Sequence, residues 1–305
     1  MSDVRTAAEQ LDATVVVVNY NDGPRLGPLL DLLLAEARRA VVVDNASTDG
    51  SEQPADGRER VTLIRNDRNR GYAPAVNQGA AIADGEWLIL ANPDAHVRPG
   101  DLHALVADLP SEVVAVAPVQ IDGTGAPRHE TGGYDPSLMR YLVWALVPVR
   151  FHGRSGPWLA SVPPGGRDVE LDWVSSALLA IRREAFEAVG RLDERFFLYH
   201  EDVDLGRRFR RRGWRVICRT RIRLFHEVAA GDPGRRARQT LLALDSLAID
   251  FEGWRRPMLG AILALGYGLR AVFASGPTRE AARAALPACG RMILGRRPSD
   301  ARPRT

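Results

Sequence analysis

The feature that most constrains this chain is a regular alternation of short β-branched runs with helical patterns over its first 120 residues. "TVVVV" (Thr14–Val18), "AVVVD" (Ala40–Asp44), "VTLI" (Val61–Ile64) and "EWLILA" (Glu86–Ala91) are continuous apolar runs. Such runs mark strands covered on both faces, because a strand wetted on one face alternates apolar with polar residues. Between the first two runs, Pro24 is followed by Leu26, Leu29, Leu30, Leu33, Leu34 and Ala37 at helical spacing. Pro74–Ala83 reads as a second helix. Alternation of this period predicts an α/β fold with a doubly wound, mostly parallel, Rossmann-like sheet.

Beyond about residue 120 the pattern loosens. Ile121–Asp168 is rich in Gly and Pro, with scattered aromatics, and reads as long loops with one helix near Ser137–Val147. Order returns as a strand and helix over Leu171–Gly190, a strand at Trp214–Cys218 and another over Arg221–Glu227. From Asp232 onward the chain reads as helical, with apolar or amphipathic stretches near Leu259–Phe273 and Ala281–Leu294. These can pack on the preceding domain or lie on a membrane surface with arginines at headgroup level. The longest clean apolar run, about Pro257–Leu269, falls short of a spanning helix, and the N-terminus lacks the apolar core of a signal peptide. Cys218 and Cys289 lie far apart, which fits neither a disulfide framework nor a zinc site and does fit a reducing cytoplasm.

Ligands of open α/β sheets bind beyond the carboxyl ends of the strands. Here those ends read "NYND" (Asn19–Asp22), "DNASTDGS" (Asp44–Ser51), "NDRNRGYAPAVNQG" (Asn66–Gly79) and "NPDA" (Asn92–Ala95). There is no G-x-G-x-x-G after the first strand. The chain has no lysine, so no P-loop can exist and all 41 basic residues are arginine. A phosphate-bearing ligand must then be neutralised by arginine or by a metal. Asp44 can cap the following turn or accept the imide N–H of uracil or thymine. Asp94 can close a type I turn or hold a hard divalent ion bridging two phosphates.

"FFLYHEDVDLGRRFRRRG" (Phe196–Gly213) places Glu201, Asp202 and Asp204 at the start of a helical pattern. The acids can serve the helix dipole or supply a general base beside an apolar wall. His226 can be structural or complete a metal's shell. The nine arginines between 207 and 223 form a solvated face or attract an anionic lipid. A net charge of +3 without a binding motif argues against nucleic acid.

Taken in order, "VVVVNYN", "VVVDNASTDGS", "NDRNRGYAPAVNQG", "WLILANPDAHVRPG", "RREAFEAVGRLDERFFLYHEDVDLGRRFRRRGW" and His226 resemble family 2 glycosyltransferases over residues 14–230. "NPDA", "FLYHEDVDL" and "PSLMR" (Pro136–Arg140) resemble the bacterial rhamnosyltransferase subgroup. The resemblance implies a GT-A catalytic domain over 1–231, with a donor half at about 12–120 and an acceptor half at about 121–231. A helical C-terminal extension, 232–305, would follow.

The same resemblance implies that Asp44 contacts the base, with Asn19 and Asn45 beside it, and that Gly71 and Asn77 line the donor pocket. Asn92 stands where the first acid of the family's metal motif usually lies. Asp94 would bind Mg2+ or Mn2+ with help from His226. Asp202 would be the catalytic base, with Glu201 positioning it or the acceptor. The donor implied is dTDP-rhamnose and the acceptor a glycan or a polyprenyl-diphosphate-linked sugar. The enzyme would work in the cytoplasm or peripherally on the inner face of the plasma membrane. Two departures stand out: Ser176 where glycine is commoner, and His200 where an aromatic is usual. The rival classes are a non-catalytic binder of sugar nucleotides or glycans, and a sugar-phosphate nucleotidyltransferase. The latter expects a Gly/Arg/Lys-rich loop that "NYNDGPR" does not resemble.

Overall fold

The structure, a computed structural model, describes residues 10–147, 160, 162–226 and 233–297, without the side chains of residues 129, 226, 233–236 and 277. Glu227, the last residue of one expected strand, lies outside the described residues. The first half follows the alternation read from the sequence: β1 (Leu11–Asn19), α1 (Leu26–Glu36), β2 (Ala37–Asp44), β3 (Val61–Arg65), α2 (Tyr72–Ala80) and β4 (Trp87–Ala91). Strands pair in the order β3-β2-β1-β4, all parallel, with Asn19 opposite Asp44 at the carboxyl ends of β1 and β2.

Alternate residues of these strands feed two different cores, which is why the runs lack polar positions. Val15, Val17, Val42 and Ile89 pack under α1 with Leu26, Leu30 and Leu33. Val16, Val41, Val43, Leu88 and Leu90 pack on the other face with Ala73 and Val76 of α2. Each fully buried aliphatic side chain contributes about 1.5–3 kcal/mol, so neither face can be stripped without losing the sheet.

Beyond β4 the sheet becomes mixed. Next in sequence come β5 (Ala95–His96), α3 (Asp101–Val106), β6 (Val113–Ile121), β7 (Gly132–Gly133), α4 (Leu138–Leu146), β8 (Val169–Leu171), β9 (Trp173–Val174), β10 (Leu178–Arg182), α5 (Arg183–Ala188), α6 (Glu201–Arg211) and β11 (Arg215–His226). β10 inserts between β4 and β6, antiparallel to both. β11 runs parallel to β6 and antiparallel to β5 and β8. The two strands expected around residues 214–227 are one strand with an irregular register between Arg219 and Arg223. The strand expected after Leu171 is split into β8, β9 and β10.

α7 (Pro233–Asp250), α8 (Arg255–Phe273) and α9 (Gly276–Ile293) complete the chain. They share a third core with α4, built from Tyr141, Leu244, Leu247, Phe251, Leu259, Leu263, Ala288 and Met292. α4 is begun by Ser137, whose hydroxyl accepts the backbone N–H of Arg140. No described helix is long and apolar enough to cross a membrane.

Candidate active site

The carboxyl ends of β1 and β2 carry a closed polar network. Asn19 is fully buried, and its Nδ2 donates to Asp44 Oδ1 (2.8 Å) and to Ser51 Oγ (2.9 Å). The Ser47 hydroxyl and backbone N–H donate to the two oxygens of Asp44, at 2.6 and 3.0 Å. Asp44 is thereby fixed in one rotamer, while a carboxylate's four acceptor directions leave room for a ligand N–H. Asn19 Oδ1 is buried without a hydrogen-bond partner, a cost native structures rarely leave unexplained.

Asn45 extends the network toward α2. Its Nδ2 donates to the carbonyl of Gly71 (3.1 Å), and its Oδ1 accepts from Asn66 Nδ2 (2.9 Å). Asn66 and Gln78 exchange amide hydrogen bonds of 2.9 Å. Gly71 has φ +95°, and an added Cβ would lie 2.6 Å from the carbonyl oxygen of Phe197. That carbonyl accepts the backbone N–H of Tyr72 at 2.7 Å. The strand-end network is thus tied to the segment leading into α6 by a contact only glycine permits.

Asn77 is held by three hydrogen bonds to the loop before α6. Its Nδ2 donates to Leu192 O (2.9 Å) and Glu194 Oε1 (3.0 Å), and its Oδ1 accepts the Leu192 N–H (3.1 Å). The buried carboxamide ties α2 to the loop before α6, so its polar groups are already occupied within the protein.

Asp94 lies in the turn between β4 and β5. Asn92 donates its backbone N–H to Ala177 O (2.9 Å) and accepts from Ala95 N (3.1 Å), closing that turn. The backbone of His226 pairs with Ala95, one residue from Asp94, and its imidazole lies outside the described groups. Asp22, at the end of "NYND", has its carboxyl pushed up to about 6, first by burial and then by the charges of Asp94 and Asp49. Asp22 and Asp94 are therefore electrostatic neighbours, a relation that sequence spacing does not reveal.

Tyr72, the first residue of α2, links this cluster to the acids of α6. Its phenol donates to the carbonyl of Ser176 (3.3 Å). Burial raises its pKa, and the charges of Glu201, Asp202 and Asp94 raise it further. Three carboxylates from two remote segments thus act on one hydroxyl. Sequence reasoning passed over both Tyr72 and Asp22; the available signal was their position at a helix start and at a polar strand end.

α6 begins after two consecutive non-glycine residues in left-handed conformation, Tyr199 (φ 71°) and His200 (φ 68°). Such residues cost about 1–3 kcal/mol each and persist where surrounding structure overdetermines them. Glu201 is buried, and its Oε2 has no hydrogen-bond partner. Asp202 is part-exposed, and its Oδ1 accepts the N–H of Val203 at 2.8 Å. Burial raises the pKa of both carboxyls, and the charge of Asp202 raises Glu201 further. Asp204 differs: Arg208 Nε donates to its Oδ2 at 2.8 Å, and the same guanidinium reaches the carbonyl of Val189. Of the three acids, Asp202 combines a raised pKa with partial exposure.

The rear of α6 is clamped. Gly206 lies against β9, where a Cβ would sit 2.3 Å from Asp172 O. Arg207 is shared between Asp135 (2.8 Å) and Asp250 of α7. Ser246 of α7 donates its hydroxyl to Leu198 O at 2.8 Å. His200 is half-buried with Nδ1 3.9 Å from Asp250, and desolvation lowers its pKa. Among the described residues, no three His, Cys, Asp or Glu side chains converge as a metal cage.

The family model described as "Glycosyl transferase family 2" matches residues 14–163. The chain is 35% identical over 237 residues to the N-acetylglucosaminyl-diphospho-decaprenol L-rhamnosyltransferase of Mycobacterium tuberculosis, covering 70% of this chain and 76% of that protein. It is 33% identical to the O-antigen biosynthesis protein RfbC of Myxococcus xanthus, over 70% of this chain and 17% of that one. Among solved structures, the mannosyltransferase PcManGT of Pyrobaculum calidifontis, in complex with GDP-Man and Mn2+, superposes with a TM-score of 0.54 at 20% identity, covering 95% of this chain and 87% of that one. GalNAc-T7 with UDP, GalNAc and Mn2+ gives 0.58 at 16% identity, over 94% and 56%. Both likenesses are of fold.

Proposed function

Because the chain belongs to the family 2 glycosyltransferases, we propose that it moves L-rhamnose from dTDP-rhamnose to a hydroxyl of a polyprenyl-diphosphate-linked sugar, with inversion, in cell-wall or polysaccharide assembly. The observation that carries the chemistry is the acid pair that opens α6, Glu201 buried with an unpartnered Oε2 and Asp202 beside it and part-exposed. The substrate pair follows the printed activity of the mycobacterial relative. In this reading residues 12–120 hold the donor and 121–231 receive the acceptor, with 232–305 as the helical extension. A lipid-linked acceptor places the work at the inner face of the plasma membrane.

Asp44, held by Asn19 and Ser47, accepts the imide N–H of the nucleotide base. Asn45 holds the Gly71 carbonyl, which fixes the backbone entering α2, where Gly71 and Asn77 would line the donor pocket. A divalent cation suits the diphosphate end: Asp94 offers a hard oxygen, Asp22 adds negative potential, and the backbone register brings His226 alongside. Asp94 and His226 would hold Mg2+ or Mn2+, which offsets the charge of the leaving nucleoside diphosphate.

The acceptor hydroxyl lies against Asp202. As its oxygen bonds to the anomeric carbon, Asp202 takes the hydroxyl proton. The bond from that carbon to the diphosphate oxygen breaks, its electron pair leaving with the nucleotide. One displacement inverts the centre and needs no covalent sugar–enzyme species. Glu201, protonated by its burial, keeps a second negative charge away from the base and presents a hydrogen-bond donor to the acceptor.

The test is calorimetric titration of dTDP, UDP and GDP with and without Mn2+, together with a transfer assay. Tight, metal-dependent binding of dTDP that Asp94→Ala abolishes, with rhamnosyl transfer, is the expected result. Binding without transfer would favour a non-catalytic binder. Release of inorganic diphosphate from a nucleoside triphosphate and a sugar phosphate would favour a nucleotidyltransferase.

A further inference from the structure

α4 and α8 carry a surface that the transfer chemistry does not use. α8 turns Leu259, Leu263 and Gly266 inward. Its exposed positions are Met258, Ala261, Leu265, Leu269, Val272 and Phe273, and every one is apolar. Val272 is 66% and Phe273 81% exposed. Five of them, Met258, Ala261, Leu265, Leu269 and Val272, recur at helical spacing, so they form one stripe opposite the buried side.

α4 repeats the arrangement. Tyr141 and Ala145 point into the helical core, while its exposed positions are Met139, Val143 and Leu146. By contrast, α9 shows water Thr278, Glu280 and Arg283, as an ordinary surface helix does. Two adjacent helices whose outward positions lack any polar residue are not an ordinary solvated face.

The helices are locked together. Gly266 lets α8 approach Trp144 and Ala145 so closely that an added Cβ would lie 2.5 Å from the Trp144 ring. The Arg270 guanidinium covers that ring at 3.9 Å and donates to the Trp144 carbonyl at 2.9 Å. The rings of Trp144 and Tyr267 meet edge-on at 5.2 Å. Arg270 is thereby turned inward, leaving the stripe uncharged.

Charge identifies the occupant. Residues 233–297 hold eleven arginines against four acidic residues, although the whole chain carries only +3. Arg255 and Arg256 open α8 next to Trp254, which is 71% exposed, and Arg140 adjoins Met139 on α4. Apolar stripes rimmed by arginine, with an exposed tryptophan at one end, suit the acyl–headgroup boundary of an anionic bilayer. No described helix can span a membrane, so the contact lies in the plane of the surface.

We propose that the outer face of α4 and α8 is a monotopic docking surface for anionic phospholipid. It deepens the lipid-linked reading above. α7, in the same helical core, grips the α6 segment through Asp250 and Ser246, so docking would fix the height of Glu201 and Asp202 above the membrane.

The experiment is co-sedimentation of the full chain with vesicles of phosphatidylglycerol and phosphatidylcholine in equal parts, and with phosphatidylcholine alone. Wild type should bind the anionic vesicles, less so as salt rises. Leu265→Glu/Leu269→Glu should lower partitioning by roughly tenfold or more, and Met139→Glu should weaken it from the other helix. Transfer to a water-soluble acceptor analogue should be unchanged in both variants. Wild type left in the supernatant, or variants that bind as well as wild type, would overturn the proposal. So would a wild-type dimer that Leu265→Glu/Leu269→Glu splits without affecting vesicle binding, since the face would then belong to a second copy. Absence of transfer to the soluble analogue by wild type would count against the glycosyltransferase reading alone.

Discussion

Removing Asp250 should show that a C-terminal helix holds α6 in place. The Arg207 guanidinium joins α6 to Asp135 on one side and Asp250 on the other. The side chains of Arg207 and Asp250 are only 17% and 3% exposed, so water cannot replace a lost partner. Breaking a buried pair from one side costs about 3–5 kcal/mol, because the remaining charge stays buried. Arg207 would keep Asp135, which puts Asp250→Ala near the lower end, about 3 kcal/mol. Asp250→Asn keeps an acceptor oxygen and the side chain's shape, and should cost about half as much.

The kinetic effect should be separable from the stability effect. Asp250 pairs with Arg207 of α6, whereas Asn19 and Asp44 are held by their own network with Ser47 and Ser51. Loosening α6 should therefore lower kcat and leave nucleotide affinity unchanged. A displacement of the base by about 1 Å costs on the order of a hundredfold in rate, which sets the scale for Asp250→Ala. Urea denaturation gives the stability change, calorimetry the nucleotide affinity, and initial rates kcat. The reasoning fails if Asp250→Ala unfolds within about 0.5 kcal/mol of wild type, or if it loses nucleotide binding in proportion to turnover.

Asp202→Asn should fold and bind nucleotide normally yet lose transfer by about 10²–10⁴-fold, the range for a positioned general base; near-normal transfer would exclude Asp202 from that role. The pH profile has a definite sign. A general base works ionised and burial raises the pKa of Asp202, so in the proposed role transfer should fall, as pH drops, at a higher pH than an exposed aspartate would dictate; a rate that stays flat into the ordinary carboxylate range would contradict this. Gly71→Ala combines a φ of +95° with a 2.6 Å clash against Phe197 O, so it should cost about 1–3 kcal/mol and impair both nucleotide binding and turnover. A variant as stable and active as wild type would show that the close approach is dispensable.

Much of the donor side was legible from the chain because its signals are local. The unbroken runs at Thr14–Val18 and Ala40–Asp44 report burial on both faces, and a parallel sheet then gathers the residues that follow each strand at one end. Asn19 and Asp44 meet for that reason. Glu201 and Asp202 were legible because a helical pattern begins beside them. Asn77 illustrates the limit: nothing local announces that its carboxamide is bonded by Leu192 and Glu194, residues 115 and 117 positions away.

The amino-acid sequence by itself determined the alternating elements, the polar strand ends and the order of the acidic motifs, since periodicity of 2 or 3.6 residues is written into neighbouring positions. Tertiary structure alone decided that β10 would enter the sheet antiparallel between β4 and β6, and that the start of α2 would meet Phe197 and Ser176. It also decided that α7 would brace α6 through Asp250, and that α4 and α8 would leave their apolar stripes outward. These are choices of partner between segments far apart in the chain. A local pattern reports that a face must be covered; packing of the whole chain decides what covers it.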